Sequence, residues 1–142
     1  MSKQDDEYMA HLAAAKLKAK TLYAQGQSLD AVAQALAVEF TEKKMVVVID
    51  TGAVADVLHD ADGLDLDEAT TASALASVPG LKPSELADGL EWALGDSFAV
   101  AVALAKGTDW VEGQIADALA SAPTGLVSAA EAVEYAAAAV SS

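Results

Sequence analysis

Residues 43–52 read KKMVVVIDTG, and no other stretch of the chain has so plain a β-strand pattern. The run is continuously apolar and β-branched rather than alternating, which is typical of a strand covered on both faces. A lone strand cannot satisfy its own backbone groups. The sequence therefore leaves two options for residues 45–49: a strand that pairs with another subunit, or the buried end of a helix. The first option predicts an interface at Val46, Val47 and Val48.

The sequence on either side of this stretch has the pattern of helices. Apolar residues at positions 8, 12, 15, 19 and 22 recur by four and three, as one face of an amphipathic helix requires. Among the Lys residues of this helix, Lys16, Lys18 and Lys20 predict a solvated face. Further helix starts are expected at Ser28, Asp50 or Thr51, Asp67, Ser84, Asp96 or Ser97, Thr108 and Ser128.

The predicted fold is mainly α: a compact bundle of seven or eight short to medium helices, with one β-strand at 45–49 left open. Residues 1–44 are predicted to form an N-terminal helical hairpin, and residues 45–142 an acidic, alanine-rich helical domain. One continuous domain is the alternative. The helix over residues 98–105 is apolar on every side and should lie centrally or in an interface. Trp92 and Trp110 flank it, so each is predicted either to pack or to serve as an anchor for a partner.

Charge and composition exclude several classes of function. The net charge is −14, and residues 45–142 carry all of it, because residues 1–44 hold six Lys and six acidic residues. The chain has no Arg and no Cys. These features disfavour direct nucleic-acid binding, disulfides and Cys-ligated zinc, and they favour basic protein partners or cations. Without an apolar run long enough for a membrane or a signal-peptide pattern, we expect a cytoplasmic or virion-associated protein that is not secreted by a signal peptide.

The densest acidic segment contains Asp60, Asp62 and Asp65, grouped around Gly63. Several carboxylates near a glycine turn suit Ca²⁺ or Mg²⁺, so these three residues are candidate metal ligands. Their spacing departs from that of an EF-hand, and a solvated loop before a helix is the alternative. No other cofactor is expected from the residues themselves.

Two short motifs resemble sites of known families. The segment VVVIDTGAVADVL, residues 46–58, resembles the active-site loop of retroviral-type aspartic proteases, which would make Asp50 a catalytic carboxylate. The chain lacks the glycine-rich flap and the strand pattern of those enzymes. The segment LGDSF, residues 94–98, resembles the phosphopantetheine attachment site of acyl and peptidyl carrier proteins, and by that resemblance Ser97 would carry the arm. Leu94 stands where the carrier family usually has glycine.

The function predicted from the sequence is a non-catalytic interaction or assembly protein. It is expected to be homo-oligomeric or part of a larger complex such as a virion. A carrier protein modified on Ser97 is one alternative, and an acidic inhibitor that mimics nucleic-acid charge is another. The chain is not expected to be an enzyme, since it shows no glycine-rich phosphate loop and no nucleophile paired with histidine.

Overall fold

The computed structural model describes residues 3–43, 47–122 and 127–141. Within these ranges the chain is mainly α, as predicted, with eight helices and two very short strands. In chain order, the elements are α1 (Lys3–Ala24), α2 (Leu29–Glu39), β1 (Thr41–Lys43), β2 (Val47–Ile49), α3 (Thr51–His59), α4 (Glu68–Ala76), α5 (Pro83–Leu94), α6 (Ser97–Gly107), α7 (Glu112–Ser121) and α8 (Ala129–Val140).

Most helices begin where a short polar side chain can accept a hydrogen bond from the first turn. Such caps are formed by Ser28 for α2, Asp50 for α3, Asp67 for α4, Asp96 for α6 and Ser128 for α8. These starts agree with the sequence prediction, because an N-cap is a local interaction that a short segment specifies by itself.

Two predicted helix starts are wrong. Ser84 does not cap α5, because Pro83 occupies the first helical position and its fixed φ starts the helix two residues earlier than a cap at Ser84 would. The Glu85 side chain accepts the Lys82 backbone N–H there, at 3.0 Å. Thr108 follows α6, and its hydroxyl donates to the Leu104 carbonyl instead of capping the next helix.

The strand expectation is partly corrected. β2 pairs antiparallel with β1 of the same chain, in a register that places Thr41 opposite Ile49 and Lys43 opposite Val47. The sequence analysis offered pairing with another subunit or the buried end of a helix. Neither option included pairing with a strand of the same chain, which is what the structure shows. A β1 strand was not expected, because TEK has little β-propensity by itself.

Helix α6 lies at the centre of the C-terminal part of the bundle, as its apolar surface predicted. It packs against α4, α5, α7 and α8. Val100, Ala101, Ala103 and Leu104 are buried. At its start, the Phe98 ring meets Tyr135 of α8 edge-on, with centroids 6.0 Å apart.

Small residues let the helices approach closely at two points. A Cβ at Gly89 of α5 would lie 2.4 Å from Thr51 Cγ2 of α3, and a Cβ at Gly107 would lie 2.1 Å from the Ala69 carbonyl oxygen of α4. Neither distance is compatible with van der Waals contact. Close backbone approach at these glycines thus sets the positions of α3 against α5 and of α6 against α4.

Helix α1 lies against α2 and α3, and its buried residues Leu12, Ala15 and Ala19 belong to the same hydrophobic cluster as residues of α3 to α8. The two predicted parts of the chain therefore share buried contacts. A domain boundary between residues 44 and 45 remains a prediction.

Candidate functional site

The most conspicuous surface feature is Trp92 on α5. Its side chain is 66% exposed, which is unusual for the largest apolar side chain. The ring lies over Gly52 of α3, where an added Cβ would come within 2.9 Å of the indole carbons Cγ and Cδ1. Its indole N–H donates to Asp56 Oδ2 at 2.7 Å. An exposed aromatic ring is therefore held in one orientation on α3.

Further acidic groups lie within electrostatic reach of the Asp56 carboxyl, which holds this ring. Burial raises the pKa of the Asp56 carboxyl; the hydrogen bond from Trp92 opposes that rise, and the negative charge of Asp60 adds to it. Burial also raises the pKa of Tyr8 on α1 to about 12, with further contributions from the charges of Asp50 and Asp56. Hereafter, the Trp92 surface means Trp92, Asp56, Asp50 and Tyr8.

The candidate metal ligands are divided between two places. Asp60 and Asp62 both face Lys16, whose Nζ lies 3.1 Å from Asp60 Oδ2 and 2.7 Å from Asp62 Oδ1. The Lys16 side chain is only 12% exposed, so the expected solvated face is wrong for this residue, whereas Lys18 and Lys20 are exposed as predicted. Burial lowers the pKa of Lys16, but the hydrogen bonds to Asp62 and Asp60 more than offset this, so that the pKa is raised.

The third candidate ligand, Asp65, has a left-handed backbone with φ of 53° and lines a separate open cleft. In the described ranges, no three His, Asp or Glu side chains are grouped so that they could hold a metal ion. A bound divalent cation remains a prediction from the sequence.

The cleft beside Asp65 has a volume of about 530 Å³ and separates the loop after α3 from α6. His59 Nδ1 lies 2.9 Å from the Leu66 carbonyl oxygen, and because a carbonyl oxygen can only accept, Nδ1–H donates this hydrogen bond. Its lining combines charged and apolar side chains and comprises His59, Asp65, Leu66, Asp67, Glu68, Ala69, Val102, Ala103 and Lys106.

The Asp-Thr-Gly motif has a structural role in α3. Asp50 Oδ1 accepts the Ala53 backbone N–H at 3.1 Å and caps the helix. Thr51 is buried against Gly89, and Gly52 lies beneath Trp92. Helix capping and close packing account for all three residues.

Ser97, the candidate attachment residue, is the first residue of α6. Its hydroxyl is half-buried and donates to Glu91 Oε2 at 2.9 Å, while Asp96 caps the helix beside it. A phosphodiester there would meet two carboxylates. Modification of Ser97 stays a prediction that the intact mass of the native protein can test.

The predicted interface residues have different positions. Trp92 is exposed, whereas Trp110 is partly buried and packs against the core. Val47 and Val48 belong to β2, and Val46 lies outside the described residues. Sequence reasoning missed Asp56 and Tyr8, because their roles depend on Trp92 and Asp50, which are distant in the chain.

No known protein family, curated protein or solved structure matches this chain. Within the described residues, none of the helices is long and apolar enough to cross a membrane. The geometry of the chain's own residues is therefore the basis for a functional proposal.

Proposed function

We propose that this protein is a non-catalytic interaction protein whose Trp92 surface binds a basic segment of a partner protein. The observation that carries the proposal is the combination of 66% exposure of Trp92 with an indole N–H fixed on Asp56 at 2.7 Å. Tryptophan is strongly enriched among the residues that dominate binding energy at protein interfaces. A ring already held in place loses little further conformational freedom when a partner covers it.

The charges around the ring favour a cationic ligand. The pKa of the Tyr8 hydroxyl is raised by burial and by the negative charges of Asp50, Asp56 and Asp60. The positive charge of Lys16 lowers it, but Lys16 is already paired with Asp60 and Asp62. A guanidinium or ammonium group over the indole face would gain a cation–π interaction of about 0.5–2 kcal/mol. Arginine could also form a planar pair with a carboxylate beside the ring.

Asp88 supports the same proposal. It precedes Trp92 by four residues on α5, so the two side chains share one side of the helix. Its Oδ1 is buried and has no hydrogen-bond partner among the described residues. Leaving such an acceptor unpaired costs about 1–3 kcal/mol, and a donor from a bound basic segment would relieve that cost after rotation of the side chain.

The proposal is tested by calorimetric titration with an oligo-arginine peptide, with oligo-glutamine as the control peptide. Trp92→Ala should weaken oligo-arginine binding by about tenfold, which corresponds to about 1.4 kcal/mol. Trp110→Phe should leave it unchanged, since Trp110 is partly buried against the core and does not belong to the Trp92 surface.

General attraction between opposite charges is separated from a specific site by two variants that remove the same charge. Asp56→Asn changes the Trp92 surface, whereas Asp117→Asn changes an exposed residue of α7. We expect a severalfold loss of affinity for Asp56→Asn and almost none for Asp117→Asn. Equal effects of the two variants, or full binding by Trp92→Ala, would show that the protein attracts cations only through its net charge of −14.

An acidic inhibitor that mimics nucleic acid remains the alternative. It would use the same negative surface but would target a protein that binds nucleic acid. Competition between the inhibitor and DNA or RNA for that protein distinguishes the two functions, because a general interaction protein has no reason to displace nucleic acid.

A further inference from the structure

Helix α1 has apolar residues on two opposite faces. Its inner face, with Leu12, Ala15 and Ala19, is buried in the core. Its outer face carries a second stripe at the helical spacings of three, four and seven residues, and every member is exposed: Ala10, Ala13, Leu17 and Ala24. Leu17 is 67% exposed, and Met9 at the margin of the stripe is 56% exposed. We call Ala10, Ala13, Leu17 and Ala24 the outer α1 face.

The charges of α1 are divided along its length. The acidic residues Asp5, Asp6 and Glu7 lie near its start, and Lys16, Lys18 and Lys20 lie in its second half. The acidic residues near its start stabilise the helix through its dipole, and the division of charge also makes the helix complementary to an antiparallel copy of itself. The position of Asp6 relative to Lys20 decides whether that complementarity can be used.

Asp6 and Lys20 are both exposed and lie fourteen positions apart, which is close to four helical turns. Each lies seven positions, close to two helical turns, from Ala13, so both charges stand in line with Ala13 on the outer α1 face. In an antiparallel pair with twofold symmetry, residues on the same side of the two helices meet. With the crossing at Ala13, Asp6 of one copy is placed level with the second copy's Lys20, and the symmetry repeats the pair at the other end.

We propose that the outer α1 face is the interface of an antiparallel homodimer, in which two copies of α1 cross at Ala13. A second copy fits this face better than it fits the rest of the protein, because residues 1–44 hold equal numbers of Lys and acidic residues while the remainder carries the net charge of −14. Like-charge repulsion is thus smallest where the two α1 helices meet. Alanine at the crossing lets the backbones come close together.

The size of the face suggests a reversible dimer. From Asp6 to Ala24 it is about 27 Å long, because each residue of a helix advances about 1.5 Å. A single pair of helices of this length buries less surface than a permanent interface requires. Sedimentation velocity over a wide range of protein concentration should therefore show monomers that convert to dimers as the concentration rises.

The interface is tested by Leu17→Glu, which puts a charge into the centre of the stripe and should weaken dimerisation at least about tenfold. Val133→Glu introduces the same charge at a residue of α8 that is 56% exposed, and it should leave dimerisation unchanged. Circular dichroism of both variants shows whether each still folds. A folded Leu17→Glu protein that dimerises like the wild type would overturn the proposal, as would a wild type that stays monomeric.

The antiparallel arrangement is tested by single cysteines, because the natural chain contains none. A disulfide needs the two Cα atoms to lie within about 7 Å. Ala13→Cys should form a disulfide-linked dimer, since the two copies of this residue meet at the crossing. Ala24→Cys should not, because its two copies would lie about 33 Å apart. A parallel dimer would link through both positions, and that result would refute the antiparallel geometry.

Discussion

Replacing Gly89 by alanine is expected to destabilise the fold, although alanine favours helices. Gly89 lies inside α5, and the new Cβ would lie 2.4 Å from Thr51 Cγ2 and 2.9 Å from Thr51 Cβ. Carbon atoms in contact are normally about 3.5–4.0 Å apart, so α3 and α5 would have to separate by about 1 Å. Such overpacking costs about 1–3 kcal/mol.

Replacing glycine by alanine also raises helix propensity, and a second glycine provides a control for this contribution to the free energy of unfolding. Gly113 lies in α7 and a Cβ there would meet nothing within 4 Å, so Gly113→Ala should stabilise the protein by up to about 1 kcal/mol. The free energies of unfolding of Gly89→Ala and Gly113→Ala should therefore differ by about 1–3 kcal/mol. Urea denaturation followed by far-ultraviolet circular dichroism measures this difference.

A double-mutant cycle identifies the contact responsible. Thr51→Ser removes Cγ2 but keeps the hydroxyl group, so Gly89→Ala should cost less in the Thr51→Ser protein than in the wild type. The predicted contact between α3 and α5 is wrong if Gly89→Ala and Gly113→Ala are equally stable, or if the cost of Gly89→Ala does not depend on residue 51.

Two further predictions concern groups near the Trp92 surface. In an alkaline titration of tyrosinate absorbance, one of the three tyrosines should ionise with a pKa of about 12, and Tyr8→Phe should abolish that component. In the unfolded chain Tyr8 loses its proton near its ordinary pKa of 10.0, whereas in the folded protein it keeps the proton up to about 12. The wild type should therefore lose stability as the pH rises from 10 towards 12. An equal loss of stability in the Tyr8→Phe protein would contradict this prediction. Lys16→Met keeps the apolar stem but removes the ion pairs to Asp60 and Asp62, so it should lower the free energy of unfolding by about 1 kcal/mol. Chemical denaturation in low and high salt checks the Lys16 prediction, and a loss that stays the same in high salt would argue against an electrostatic origin.

The candidate site could be predicted only in part. Trp92 was one of two tryptophans flanking an apolar helix, and nothing local distinguishes it from Trp110. Its exposure follows from Gly52, which leaves room for the ring on the surface of α3, and from Asp56, which holds the indole N–H. Residues 56 and 92 are 36 positions apart, so no periodic pattern connects them.

The outer α1 face left a signal in the sequence that a search for one amphipathic face overlooks. Ala10, Ala13 and Leu17 form an apolar stripe opposite the stripe of Leu12, Ala15 and Ala19. A helix with two opposite apolar faces has nearly the same polarity on both sides. A helix with no apolar face also has nearly the same polarity on both sides, so a test for amphipathic character does not separate the two cases. Only the packing of α1 on α2 and α3 decides which stripe is buried.

The sequence by itself determined the mainly helical fold, most helix starts and the central place of α6. These features depend on interactions within a few residues or on the apolar surface of one helix, so a short segment contains the information needed. Tertiary structure alone decided the partner of β2, the ion pairs of Lys16 with Asp60 and Asp62, and the exposure of Trp92. Each of these features brings together side chains or backbones that are far apart in the chain. Their separation in space depends on how closely the helices pack, and the small residues of this bundle set that packing distance.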